Sequence, residues 1–192
     1  TMCVEKYKKS GAVEVICGSM FSGKTEELIR RMKRAQFANQ KITIYKPAID
    51  VRYSEDLVVS HEAHKISSTP ISDAGTMLES LENGTQVVGI DEAQFFGDNI
   101  ISVVQQLADN GIRVIIAGLD SDFLGKPFGP MPSLMAIAED VQKVHAICVK
   151  CGSPAQHSHR LSRSSKLVVI GEKDIYEPLC RHCYNLAVKS KK

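Results

Sequence analysis

Gly18-Ser19-Met20-Phe21-Ser22-Gly23-Lys24-Thr25 decides the reading of this chain. The spacing is G-x-x-x-x-G-K-[ST], that of a phosphate-binding loop. Before it, the apolar run Val13-Glu14-Val15-Ile16-Cys17 reads as a strand. After it, residues 25–33 have helical spacing, with Leu28, Ile29 and Met32 on one face. Strand, glycine loop and helix form the setting this motif requires. Gly18 and Gly23 let the backbone N–H groups of the loop curl around phosphate oxygens, at the positive end of the helix. Lys24 can then reach the β- and γ-phosphates of a nucleotide, and the Thr25 hydroxyl can bind magnesium. The competing reading is a chance glycine-rich turn, which the flanking strand and helix disfavour.

Outward from the loop, apolar runs alternate with helical patterns. Strands are expected at 41–46, ended by Pro47, at 87–90 and at 114–119. Helices are expected at 73–81 and 100–108, with a short one at 133–138 and a terminal one at 181–189. Residues 48–65 have mixed polarity and read as a mobile loop. Glycines and prolines surround Phe123 and Phe128 in 120–132, which also reads as a loop. Residues 141–149 read as the last strand of the main sheet, and 156–160 with 166–170 as two arms of a hairpin. Strands without polar alternation, separated by helices, indicate a mostly parallel sheet covered on both faces.

Composition narrows the class. The chain has 192 residues, 43% hydrophobic and 24% charged, enough for one good-sized domain, or one domain plus a small module. No run is long enough to span a membrane, and no charged-then-apolar leader is visible, so a cytoplasmic protein is expected. A net charge of +2 does not call for a nucleic-acid partner. Without a leader, the six cysteines do not suggest a disulfide framework. Cys148-Val149-Lys150-Cys151 and Cys180-Arg181-His182-Cys183 are two CxxC pairs, which suggest one structural zinc held by four thiolates. A redox pair is the alternative. Cys17 is read as a buried apolar residue. None of the histidines is read as a ligand.

Asp91 ends an apolar strand, where a magnesium-binding carboxylate of a nucleotide site belongs. Glu92 follows it at the strand's C-terminal end, where open α/β sheets bind their ligands. A second carboxylate there can take a proton from an attacking water or alcohol; otherwise Glu92 is an exposed strand-end charge. Arg52, near Asp50 in the loop after the second strand, could neutralise charge on a transferring phosphoryl group, or that loop is solvated surface.

Taken in order, GSMFSGKT, DVRYS, IDEAQFF, GLDSDFLGKPFG, the two CxxC pairs and VVIG followed by Tyr176 resemble the type II thymidine kinases. The resemblance runs from residue 18 to 183. Ser19 departs from it, since many members carry Pro there. It implies a P-loop NTPase (RecA-like) core over 13–147, preceded by a flexible tail at 1–12 and followed by a zinc-binding lasso domain at 148–192. It also implies ATP-dependent phosphorylation of thymidine or deoxyuridine at the 5′-hydroxyl, in pyrimidine salvage. Lys24, Thr25 and Asp91 match phosphate and magnesium positions. Asp50 and Arg52 match a phosphate-side loop, and Glu92 the proton acceptor, with Ala93 beside it at the nucleotide. Gln94, Phe95, Leu119, Phe123 and Phe128 match the substrate pocket. Leu167, Val168, Val169, Ile170 and Gly171 match the lasso that closes over the base, and Tyr176 a pocket wall. Ser158 stands where some members carry Thr, which keeps a hydroxyl near the base at a substrate-binding position. Cys148, Cys151, Cys180 and Cys183 match four zinc ligands. Such enzymes are usually homotetramers inhibited by thymidine triphosphate.

Two rivals remain at this point. A water-hydrolysing P-loop NTPase would use Lys24, Asp91 and Glu92 but leaves the Phe-rich loop and the CxxC pairs without a role. A zinc-ribbon module for nucleic acid needs a basic, aromatic face, and the charge balance gives it little support.

Overall fold

Strand β1 (Ala12–Gly18) is buried at every position, because it is an interior strand of a sheet covered on both faces. The computed structural model describes residues 11–48, 67–161 and 175–189. In chain order β1 is followed by α1 (Lys24–Phe37), β2 (Ile42–Pro47), β3 (Thr69–Ile71), α2 (Thr76–Ser80) and β4 (Val87–Ile90). Then come α3 (Asn99–Asp109), β5 (Arg113–Leu119), α4 (Met131–Ile137) and β6 (Asp140–Val144). These six strands form one sheet in the order β3-β2-β4-β5-β1-β6, and every pairing in it is parallel.

The unbroken apolar runs are explained by two cores. Val13, Val15 and Cys17 point to one face, with Val88, Ile90, Val114 and Ile116, and pack against Ile100, Val104 and Leu107 of α3 and Met131 and Leu134 of α4. Ile16, Ile44, Val87, Ile115 and Ala117 point to the other, under Leu28, Met32 and Ala35 of α1. Adjacent residues serve opposite cores, so no position on these strands is left for a polar side chain. Glu14 is the exception in β1. Its carboxylate accepts from Arg113 Nε and Arg31 Nη1, each at 2.5 Å, and Arg31 continues to Glu27 on its own helix and Gln142 on β6. A buried carboxylate is tolerated here because two guanidinium groups satisfy it.

One expectation is corrected. The run 141–149 is not one strand: β6 ends at Val144, and β7 (Ala146–Ile147) turns away to pair with β8 (Pro154–Ala155). The turn lets Cys148 enter a tight knuckle, in which its N–H donates to Ser153 O and its own carbonyl accepts from Gly152 N–H, both at 2.8 Å. Strand β9 (His157–Arg160) pairs antiparallel with β10 (Tyr176–Leu179); residues 166–170, expected as the second arm of that hairpin, lie outside the described residues. Strand β3 was hidden by Pro70, which is acceptable there because β3 is an edge strand. The chain closes on α5 (Arg181–Lys189), which with Ala146, Ala155, Leu179 and Tyr184 forms a separate small core around Cys148. Among the described residues, no helix is long and apolar enough to cross a membrane.

Candidate nucleotide and substrate site

The phosphate loop leaves β1 at Gly18, whose φ is +153°. A Cβ there would stand 2.3 Å from Val144 O of β6, so only glycine fits. The loop ends in α1, whose first turn has no side-chain cap. Its N–H groups therefore remain available to an anion, at the positive end of the helix. Lys24 curls back, its Nζ donating to Ser19 O at 2.7 Å, and Ser22 Oγ donates to the same carbonyl at 2.7 Å. Burial pushes the Lys24 ammonium below its usual range, while Glu92, Asp91 and Asp120 pull it back up. A cation held among carboxylates in a partly dry site is suited to receiving phosphate.

Asp91 follows β4, one strand beyond the neighbour of β1, so its carboxylate comes to the foot of the loop. Thr25 Oγ1 lies 3.2 Å from each of its oxygens. Burial, and then the charge of Glu92, push the Asp91 carboxyl up to about 7, against the Glu92 N–H and the Thr25 hydroxyl. A hydroxyl and a destabilised carboxylate in contact are hard oxygen donors of the kind magnesium takes.

Glu92 has φ +52° and ψ +40°, a left-handed conformation unusual outside glycine. That bend turns the chain from β4 into a short 3-10 turn at Ala93–Phe95. Gln94 then reaches back: its Nε2 donates to Glu92 Oε2, and its Oε1 accepts from Leu119 N–H at 2.9 Å. Gln94 is only 3% exposed, so it acts as a bracket that fixes the direction of the Glu92 carboxylate from the end of β5.

Aromatic residues gather beside this bracket. Phe95 and Phe128 meet edge to face at 5.6 Å. Gly129 carries the 120–130 loop past Gln94, where a Cβ would stand 2.4 Å from Gln94 O. Asp122 Oδ1 folds that loop by accepting from Leu124 and Lys126 N–H, both at 2.9 Å. Phe123 is covered by Arg160, whose guanidinium sits 3.6 Å above the ring centre. The Tyr176 hydroxyl accepts from Arg160 Nη2 at 2.7 Å and Nε at 3.1 Å. Sequence reasoning placed Arg160 only at the end of the 156–160 arm and gave it no role. It is 3% exposed and holds two expected pocket walls together; no local signal marks it, since its partners are far away in the chain. Ser158 is also buried, its Oγ accepting from Met20 N–H of the phosphate loop at 3.0 Å. A cavity of about 400 Å³ opens against the 120–130 loop, lined by Asp120, Lys143, His157 and Arg181 among others, but not by Lys24, Thr25, Asp91 or Glu92.

The sulfur atoms of Cys148, Cys151, Cys180 and Cys183 all lie within 4.8 Å of one another. Cys151 and Cys180 are 3.6 Å apart, too far for a disulfide at about 2.05 Å and close to the spacing of about 3.8 Å that a tetrahedron of 2.3 Å metal–sulfur bonds requires. Cys148 is pushed up by burial but drawn down overall to about 6 by the N–H groups of Cys180, Lys150 and Cys151. Burial and the other three thiols push Cys183 up to about 12. Four thiolates this close repel one another, and a cation at their centre removes that cost. The set fits a metal ion. Asp50, Arg52, Leu167, Val168, Val169, Ile170 and Gly171 lie outside the described residues.

The parallel sheet, the loop at the end of β1 and the carboxylates at the end of β4 define a P-loop nucleotide-binding protein. The chain belongs to the thymidine kinase family, whose profile matches residues 11–184. It is 63% identical over 181 residues to the thymidine kinase of Bacteroides thetaiotaomicron, covering 94% of this chain and 90% of that one. The thymidine kinase of Porphyromonas gingivalis strain W83 is 56% identical over 176 residues, 92% of this chain and 86% of the relative. That of Bdellovibrio bacteriovorus is 57% identical over 171 residues, 89% and 84%.

Arg160→Lys is expected to lower stability by about 2 kcal/mol. The ammonium keeps the charge but loses the planar fork toward Tyr176 and the stacking on Phe123. Urea unfolding measures this, and an unchanged midpoint would remove Arg160 from the structural role assigned here.

Proposed function

We propose that this protein transfers the γ-phosphate of ATP to the 5′-hydroxyl of thymidine or deoxyuridine, giving the 5′-monophosphate and ADP. The observation that carries this reading is the Gln94 bracket, which aims the Glu92 carboxylate beside the Lys24, Thr25 and Asp91 cluster. Glu92 accepts the 5′-hydroxyl proton as the 5′-oxygen forms its bond to the γ-phosphorus. The bond from that phosphorus to the β–γ bridging oxygen breaks, and ADP leaves. Lys24 and the N–H groups of the loop balance charge on the phosphates. Thr25 and Asp91 would hold magnesium, which when bound neutralises charge on the β- and γ-oxygens. Arg52 joins Lys24 at the transferring group, with Asp50 in the same loop.

The nucleoside lies in this reading between Phe128, Tyr176 and Leu119, with Phe95 and Phe123 behind it. Residues 167–171 cover the base and read it through backbone groups. Thymine offers two acceptors and one donor that must be matched when buried. Cytosine has a donor where thymine has an acceptor, so a fixed backbone pattern rejects it. The four cysteines hold one structural zinc, with no open position for catalysis. A homotetramer inhibited by thymidine triphosphate is part of this proposal, supported by the family resemblance. A panel of nucleosides offered with ATP tests the specificity: thymidine and deoxyuridine should be phosphorylated and deoxycytidine should not, and equal use of all three would sink the reading.

A further inference from the structure

We propose that Ser158 is a positioning residue for the phosphate loop, so that β9 links the nucleotide site to the cysteine cluster. The inference rests on the ATP-binding reading above. Residues 19–22 are joined to the rest of the chain by few polar contacts. Among the described residues, the hydrogen bonds that reach them from beyond the P-loop motif come from β8 and β9: Met20 N–H donates to Ser158 Oγ at 3.0 Å, and Ser19 Oγ donates to Ala155 O at 3.4 Å. The remaining bonds of this stretch, from Ser22 Oγ and Lys24 Nζ to Ser19 O and from Ser19 Oγ, whose one hydrogen is shared with Ala155 O, to Met20 O at 3.2 Å, stay within the motif and fix its shape but not its position.

Ser158 is suited to the task. It is 4% exposed, and strand alternation sends it and Arg160 to the same side of β9. One strand therefore holds the loop with one side chain and the Phe123–Tyr176 wall with the other. Strand β9 is itself paired with β10, which runs directly into Cys180. The loop also contains a non-glycine residue in the left-handed region, Phe21 at φ +62°, immediately after Met20. Such a conformation persists where its surroundings hold it. An outside acceptor on Met20 N–H keeps the turn formed before the anion arrives, which lowers the ordering cost of binding. Threonine retains the oxygen; alanine removes it and leaves the strand otherwise intact.

The test is titration of the metal-loaded full chain with magnesium and adenylyl imidodiphosphate, a non-hydrolysable ATP analogue, without nucleoside. Ser158→Ala should weaken binding about fivefold, the effect of one neutral hydrogen bond. Ser158→Thr should stay within about twofold of the wild type, and KM for ATP should follow the same order. The absence of nucleoside removes any role of Ser158 at the base, and the threonine variant separates loss of the oxygen from general disturbance of β9. Unchanged affinity in Ser158→Ala, in a wild type that binds the analogue, overturns this inference alone, as does a threonine variant as weak as the alanine one. A wild type that does not bind the analogue overturns the ATP reading, and this inference with it.

Discussion

Glu92→Gln should lower kcat by about 10²–10⁴-fold, the usual contribution of a general base, while leaving affinity for ATP within about twofold. The amide has the shape of the carboxylate and the same backbone at φ +52°. Its oxygen can still accept from Gln94 Nε2, so the bracket from Leu119 N–H survives. What it cannot do is accept a proton from the 5′-hydroxyl. The effect should therefore fall on turnover at saturating substrate, and not on KM. Asp91 and Thr25 remain in place, so magnesium and phosphate binding lose little. A variant with near-parental kcat would mean that the proton leaves by another route and that Glu92 is a strand-end charge in a strained turn.

The second large effect is expected at the cysteine cluster. Cys180→Ser should abolish stoichiometric zinc and lower the thermal midpoint by about 10 °C or more, since structural zinc contributes several kcal/mol and each is worth about 2–4 °C at this size. Cys180 joins β10 to α5, and its sulfur lies 3.6 Å from that of Cys151. The small core of Ala146, Ala155, Leu179 and Tyr184 is too slight to order these elements by burial alone. Tyr184 is the way damage would spread: it stacks on His157 at 4.4 Å and donates to Phe123 O at 2.8 Å. Loss of the metal should thus disturb the aromatic wall as well as the cluster. Elemental analysis of reduced protein together with thermal unfolding measures both effects. A parent without zinc, or a variant that keeps its metal and midpoint, contradicts the assignment.

What could be read from the sequence was local. The phosphate loop is a contiguous motif whose glycines answer to geometry within a few residues, and β4 with Asp91 and Glu92 is a run of buried residues that ends in charge. The two CxxC pairs were legible because metal geometry fixes spacing within each pair; that they converge is a matter of the fold. The non-local features were not legible. Glu14 lies in an apolar strand, and its partners Arg31 and Arg113 come from other elements. Pro70 concealed an edge strand. The partner of β9 lies across residues 161–175, and nothing in the sequence of either strand specifies the pairing. Gln94 was expected at the substrate, and its bonds to Glu92 and Leu119 depend on a turn that no periodicity announces. Ser158 was expected near the base, and its bond to Met20 of the phosphate loop, like the contact of Arg160 with Phe123, joins elements far apart in the chain.

The most direct measurement is ATP turnover by the purified, metal-loaded protein with and without thymidine, with the product identified by phosphorus NMR. ADP should form only when thymidine is present, in one-to-one ratio with thymidine 5′-monophosphate. ADP and inorganic phosphate released at the same rate without any nucleoside would show that water is the acceptor, and the account of Glu92 and the aromatic pocket as a nucleoside kinase site would be wrong.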